Sequence, residues 1–346
     1  MNIRRLSQTS ISQTSLLALG TVVCVWTLAG PALAKPRIAT IDPPNSIATY
    51  AWTLNGKGVI TGFYYDGSSG STKGFLRATD GTITTFNHPT SEVTATYGID
   101  SKGRSTGYWS TEDGNFPGFI RTLKGKLKPF QVSEAVTGTF PVAMTATSAI
   151  AGDYYDAYSV PHGFLRTPDG TITTFDVKGD TYGTSPTAIN SADSITGHYG
   201  DSSGINHGFL RTSDGNIVKF DAARHSTGTF AQGINTGGAI AGYYFDASGI
   251  AHGFLRATDG TFTRFDPSGS TYTYVAGIND NGDTTGYYYG SDGLPHGFVR
   301  SSGGGISTFD AEGATGTYAN AINGKGEVVG FYTDSTENFH GFLRTP

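Results

Sequence analysis

The sequence predicts an all-β protein, a seven-bladed β-propeller of four-stranded blades. Three observations carry that expectation: one refrain repeated seven times, strand-type patterning throughout, and chain ends that are complementary halves of one hairpin. The refrain is HGFLRATDGTFTRFD, residues 252–266, two short segments around an Asp-Gly turn. Its glycine recurs at Gly74, Gly118, Gly163, Gly208, Gly253, Gly297 and Gly341, spaced 44 or 45 residues apart. That is the length of a propeller blade.

Each unit holds four segments. The first ends in an apolar residue followed by Asn or Asp, as in Leu54-Asn55, Ile99-Asp100, Ile189-Asn190, Ile234-Asn235, Ile278-Asn279 and Ile322-Asn323, with Met144-Thr145 in the third unit. The second joins Gly to aromatics, as in Gly242-Tyr243-Tyr244-Phe245. The third is the Gly-Phe-Leu-Arg segment, and the fourth ends in Phe-Asp. Thr, Tyr, Phe, Ile and Val dominate, Gly, Asp, Asn and Ser separate the segments, and no helical period appears, so all four are strands. A two-residue Asp-Gly turn would set Phe164 opposite Phe175 and Arg166 opposite Thr173. The longest connections, such as Asp176 to Thr187, are the steps between blades. The Ile-Asn strand is then innermost and the Phe-Asp strand outermost. Inter-blade loops share one face with the loops after the Tyr-Tyr strand, and that face is where a ligand is expected.

The ends argue for a ring. The last unit stops at Gly341-Phe342-Leu343-Arg344-Thr345-Pro346, where its turn should begin, and Lys35 to Asp42 aligns with Asp169 to Asp176. A linear stack would need atypical capping repeats, and residues 35–346 leave none over. The final blade is expected to combine three C-terminal strands with one N-terminal strand.

Residues 1–34 read as a secretory signal: Arg4 and Arg5, the apolar run Leu16 to Gly30, then Ala32-Leu33-Ala34. Residues 35–346 are the single propeller domain, expected to be secreted to the periplasm or the cell exterior as a monomer without membrane insertion. Cys24, the only cysteine, lies in the signal, so no disulfide is expected. Losing Arg4 and Arg5 takes the formal charge from −5 to −7. An acidic balance argues against nucleic acid as a partner.

The pattern Ile-Asn-x-x-Gly-x-x-x-Gly-Tyr-Tyr, His-Gly-Phe-Leu-Arg, Asp-Gly-Thr-Ile-Thr-Thr-Phe-Asp resembles the HAF repeat of bacterial extracellular repeat proteins, over essentially the whole chain after the signal. The resemblance implies secretion and a β-propeller-like fold. It implies no reaction and no catalytic residues.

Three sets of side chains could carry chemistry. Arg77, Arg121, Arg166, Arg211, Arg256, Arg300 and Arg344 fill one position in all seven units, where stacking between blades is the expected role. His162, His207, His252, His296 and His340 precede Gly-Phe in five units, and Asp176, Asp221, Asp266, Asp310 and Asp42 follow the outermost aromatic or Ile41 in the same five. Units lacking the His, with Lys73 and Pro117, also lack the Asp, with Asn87 and Gln131. That co-occurrence points to structural His-Asp hydrogen bonds, each Asp diagonally across from its His. No shared metal is expected, because equivalent positions on different blades lie too far apart for one ion. The paired tyrosines are expected to pack between blades, with sugar stacking as the alternative.

Gly200-Asp-Ser202-Ser-Gly204 matches a nucleophile elbow but lacks the helix that must follow. Asn279 to Asp283 resembles part of a calcium loop without its bidentate Glu. No cofactor is expected, and the sequence singles out no catalytic residue. The function expected is non-enzymatic binding of a polysaccharide or protein on the loop-rich face. A glycan-active lyase or hydrolase, or a purely structural envelope protein, stands as the alternative. A single active site would need residues that break the repeat; Glu92, Glu112, Glu134, Arg104, His198, His225 and Arg224 do so without visible convergence in the sequence.

Overall fold

In every unit three strands are largely enclosed and the fourth is open to solvent. In Ile240–Phe245 nearly every side chain is enclosed, whereas Phe262–Phe265 leaves its middle residues in solvent. The first therefore lies within a stack of sheets and the second at a rim. The computed structural model describes residues 36–346; the expected signal, residues 1–34, lies outside the described residues.

Those residues form strands paired in chain order within each unit. Blade five, for example, runs Gly228–Ile234, Ile240–Phe245, Ala251–Arg256 and Phe262–Phe265. Five units are separate four-stranded sheets. The other two share an eight-stranded sheet, joined by the parallel pair Ala48 and Phe339. Among the described residues there is no helix. This is an all-β propeller architecture. The N-terminal strand Arg37–Ile41 pairs antiparallel with Phe339–Thr345, Arg37 opposite Thr345 and Ile41 opposite Gly341.

The turn between third and fourth strands corrects the expected register. Thr167 N–H donates to Thr171 O and Gly170 N–H to Thr167 O, both at 2.9 Å, and Gly170 has φ 101°. The loop is Pro168-Asp169-Gly170, a three-residue turn ending in a left-handed glycine, not a two-residue Asp-Gly turn. The extra residue shifts the pairing by one, so Phe164 faces Thr174 and Arg166 faces Ile172.

The turn between first and second strands explains the recurrent Asn. Asn55 Oδ1 accepts the N–H groups of Lys57 and Val59 at 3.0 Å, while its Nδ2 donates to Asp100 O in the next blade at 2.9 Å. Asn190, Asn235, Asn279 and Asn323 donate onward in the same way, the last to Asn55 O at 3.2 Å across the junction of blades seven and one. One amide therefore closes a hairpin and ties neighbours together.

Between blades, fully buried Phe119, Phe164, Phe209, Phe254, Phe298 and Phe342 meet the outer Phe of the preceding blade edge-on. The repeated arginines cover the same outer rings, from Arg121 over Phe86 at 4.6 Å to Arg344 over Phe309 at 4.9 Å. They are cation–π struts inside the wall. Arg77 is the exception, because the strand before it carries Ile41 at the aromatic position.

Candidate functional site

The repeated histidines stand where the third strand leaves the loop-rich face. With Gly163 paired to Phe175, the next residue, His162, lies directly across from Asp176 rather than diagonally, a second consequence of the shifted register. His162 Nδ1 is 2.9 Å from Asp176, and the corresponding distances are 2.8 Å for His207–Asp221, 2.7 Å for His252–Asp266, 3.0 Å for His296–Asp310 and 2.8 Å for His340–Asp42.

A second carboxylate, missed in the sequence, faces the other nitrogen of every ring. Nε2 lies 3.5 Å from Asp156 in His162, 3.2 Å from Asp201 in His207, 3.7 Å from Asp246 in His252, 3.2 Å from Asp292 in His296 and 3.3 Å from Asp334 in His340. Each imidazole also rests against a tyrosine, as His162 does on Tyr154 and His340 on Tyr332, with ring centroids 5.2 and 5.0 Å apart. The available signal was an Asp six residues before the His in four of the five units. In the first unit Lys73 takes the place of His and pairs with the counterpart Asp66.

Electrostatics follow from this sandwich. Burial disfavours a charged imidazole, but the hydrogen bonds and charges of the two carboxylates outweigh it, so His162, His207, His296 and His340 are raised above the ordinary 6.5. The turn carboxylates are lowered, Asp156 and Asp201 chiefly by the backbone N–H groups of Val160 and Ile205. The two carboxylates approach opposite edges of the ring, so the three groups do not converge on a point that an ion could occupy.

The face bearing these clusters also carries most of the exposed apolar surface. Of eleven large apolar or aromatic side chains exposed in the described residues, eight lie at this end: Tyr65, Tyr158, Tyr182, Tyr272, Ile47, Val136, Ile250 and Leu294. Tyr158 is 87% exposed and Tyr182 63%. A notch of about 350 Å³ opens where blade five meets the loop to blade six, walled by Ile250, His252, Asp266, Ser270, Thr271 and Tyr272.

A second cavity, about 530 Å³, lies on the axis toward the opposite face, where the first strands end. Every blade contributes, with Trp52, Tyr97, Val142, Thr187, Gln232, Ala276 and Asn320 at one repeat position. Of the seven repeat-breaking residues, Glu92, Glu112, Glu134, Arg224 and His225 belong to loops of the loop-rich face, distributed over several blades. Arg104 is at the other face, its Nε 2.6 Å from Asp100. His198 is interior and held near 4 by burial.

No family model matches the chain, and no curated protein matches it. Solved structures do resemble it. Catalytically inactive virginiamycin B lyase from Staphylococcus aureus with quinupristin superposes with TM-score 0.61 at 15% identity, covering 90% of this chain and 100% of that one. The β-propeller domain of the trilobed protease from Pyrococcus furiosus, described as having an open velcro topology, gives TM-score 0.61 at 9% identity, covering 86% and 95%. Puromycin hydrolase gives 0.60 at 10% identity, covering 87% of this chain and 53% of that chain. At these identities the likeness is one of fold.

Proposed function

We infer that the protein is an exported binding module, non-enzymatic, whose loop-rich face takes a polysaccharide. The observation that carries this is the crowding of eight of the eleven exposed large apolar or aromatic side chains onto that one face. Exposed tyrosines present a flat apolar ring together with a polar tip, which suits the apolar faces and hydroxyl rims of sugars. The notch beside Tyr272 adds convergent polar groups in Ser270, Thr271, His252 and Asp266 around the apolar Ile250. A few placed polar groups among apolar ones is the composition of an orienting pocket. Export rests on Arg4, Arg5, the apolar run and Ala32-Leu33-Ala34.

The scaffold of this reading is a closed, monomeric seven-bladed ring. Pairing of Arg37–Ile41 with Phe339–Thr345 and the Asn323 to Asn55 hydrogen bond support it at the only junction where the chain is discontinuous.

A glycan array followed by titration calorimetry tests the function. One polysaccharide class is expected to bind, and Tyr272→Ala or Tyr182→Ala is expected to weaken it by about tenfold, the effect of losing one aromatic anchor, without changing the melting temperature. Absence of any glycan hit, binding indifferent to both substitutions, or release of cleaved product would each overturn the reading.

A further inference from the structure

The interior holds a belt of aromatic rings with one opening. In five blades the first strand places a ring between the second strands of its own blade and the one before. Tyr274 lies 5.0 Å from Tyr287 and 5.0 Å from Tyr243; Phe230 lies 5.0 Å from Tyr243 and 5.0 Å from His198. Tyr50, Phe140 and Tyr318 occupy the same position. The other two blades carry Ala95 and Ser185 there. At Ala95 the space is filled by Tyr97, 5.6 Å from both Phe63 and Tyr108. At Ser185 no ring takes over, because the side chain two residues on is Thr187, whose hydroxyl donates to Ala231 O at 2.7 Å.

The residues on either side of Ser185 are also the two that break the second-strand pattern. Where other blades have Phe63, Tyr108, Tyr243, Tyr287 or Phe331, blade three has Asp153 and blade four His198. Repeat geometry therefore sets Ser185 between Asp153 and His198, a small side chain at the position where five other blades carry a ring. Phe140 and Tyr155, 5.4 Å apart and perpendicular, stand on the blade-three side. Asp153, Ser185 and His198 each retain some exposed surface, so solvent reaches the slot. Asp153 receives no hydrogen bond from another residue among those described and has no cation beside it.

We propose that this slot binds a planar cation, an amidinium or guanidinium borne by a small molecule, its in-plane N–H groups donating to Asp153 and its face lying against His198. A flat group would take the place of the ring that Ser185 omits, and a fork of N–H donors matches a carboxylate left without partners. The tyrosine rings of the belt extend the cation-accepting wall. The cation site does not depend on the glycan reading, because Asp153, Ser185 and His198 are not among the residues that carry it.

The facing titratable groups set the pH dependence. Burial raises Asp153 to about 7 and holds His198 near 4. Burial also raises Tyr155, with the charge of Asp153 and then Tyr108 adding to it. Among these facing groups only Asp153 changes charge between pH 6 and 8, while the His198 imidazole stays neutral and does not repel a cation. Benzamidine titrated calorimetrically into the protein is expected to bind at one site, about tenfold more tightly at pH 8 than at pH 6 because the ionised fraction of Asp153 rises about tenfold. The near-isosteric Asp153→Asn is expected to abolish binding. Ser185→Phe, which restores the residue type of other blades, is expected to block it while leaving the melting temperature unchanged or higher. No binding at millimolar benzamidine at pH 8, or full binding in folded Asp153→Asn or Ser185→Phe protein, would overturn the proposal.

Discussion

Because His207 meets Asp221 through Nδ1 and Asp201 through Nε2, both ring nitrogens act as donors only in the charged imidazolium. Folding therefore tightens proton binding at this residue. Stability from such a group is complete below the unfolded value of 6.5 and is lost as pH rises through the higher folded value. His162, His296 and His340 act in the same direction. Proton NMR titration is expected to find these four above 6.5, and His207→Ala is expected to flatten the fall of melting temperature between pH 6 and 8; values at or below 6.5 would remove the charge-sandwich explanation. Interior His198 works oppositely, since its folded value is depressed and its contribution is lost as pH falls from 6.5 toward 4. The first carboxylate of each sandwich was legible in the sequence because His and Asp are missing from the same two units. The second was hidden among hairpin residues, where Asp has an ordinary role in accepting backbone N–H groups.

At the scale of the strand, the recurrent glycine before the aromatic pair is required by a bulge. The first strand of blade five slips register between Ala231 and Gly233, and the carbonyl of Phe230 lies so close to Gly242 that a Cβ there would be 2.1 Å from the oxygen. The equivalent approach is 1.9 to 2.2 Å at Gly62, Gly107, Gly152, Gly197, Gly286 and Gly330. Gly242→Ala is expected to lower unfolding free energy by about 1–3 kcal/mol through overpacking, read from the urea midpoint; an unchanged midpoint would show that the bulge relaxes freely. Strand identity and order were legible, because propensity, turn residues and period agree. The bulge was not, since it is set by two strands meeting rather than by either alone. The third turn was misread for a related reason: Asp-Gly suggests a two-residue loop, but in Pro168-Asp169-Gly170 the left-handed position falls third.

For the whole molecule, the repeat builds the wall and departures from it build the chemistry. Periodicity made the wall readable: Phe, Arg and Asn recur at fixed intervals, and each binds one blade to the next. The slot at Asp153, Ser185 and His198 was far less so, because Asp153 is 32 and 45 positions from the other two and joins them only when neighbouring blades are overlaid. His198 alone was noticed, without its companions. The exposed tyrosines were likewise indistinguishable in sequence from the packed ones, since both follow from local composition and only loop geometry separates them. The central claim remains that the ring is shut by Arg37–Ile41 lying on Phe339–Thr345, and native-state hydrogen exchange tests it most directly. Amides in Arg37–Ile41 that are bonded across this pair are expected to exchange only with global unfolding, together with their partners in Phe339–Thr345. Exchange of Arg37–Ile41 at the rate of an unstructured peptide, while the other six outer strands stay protected, would contradict it.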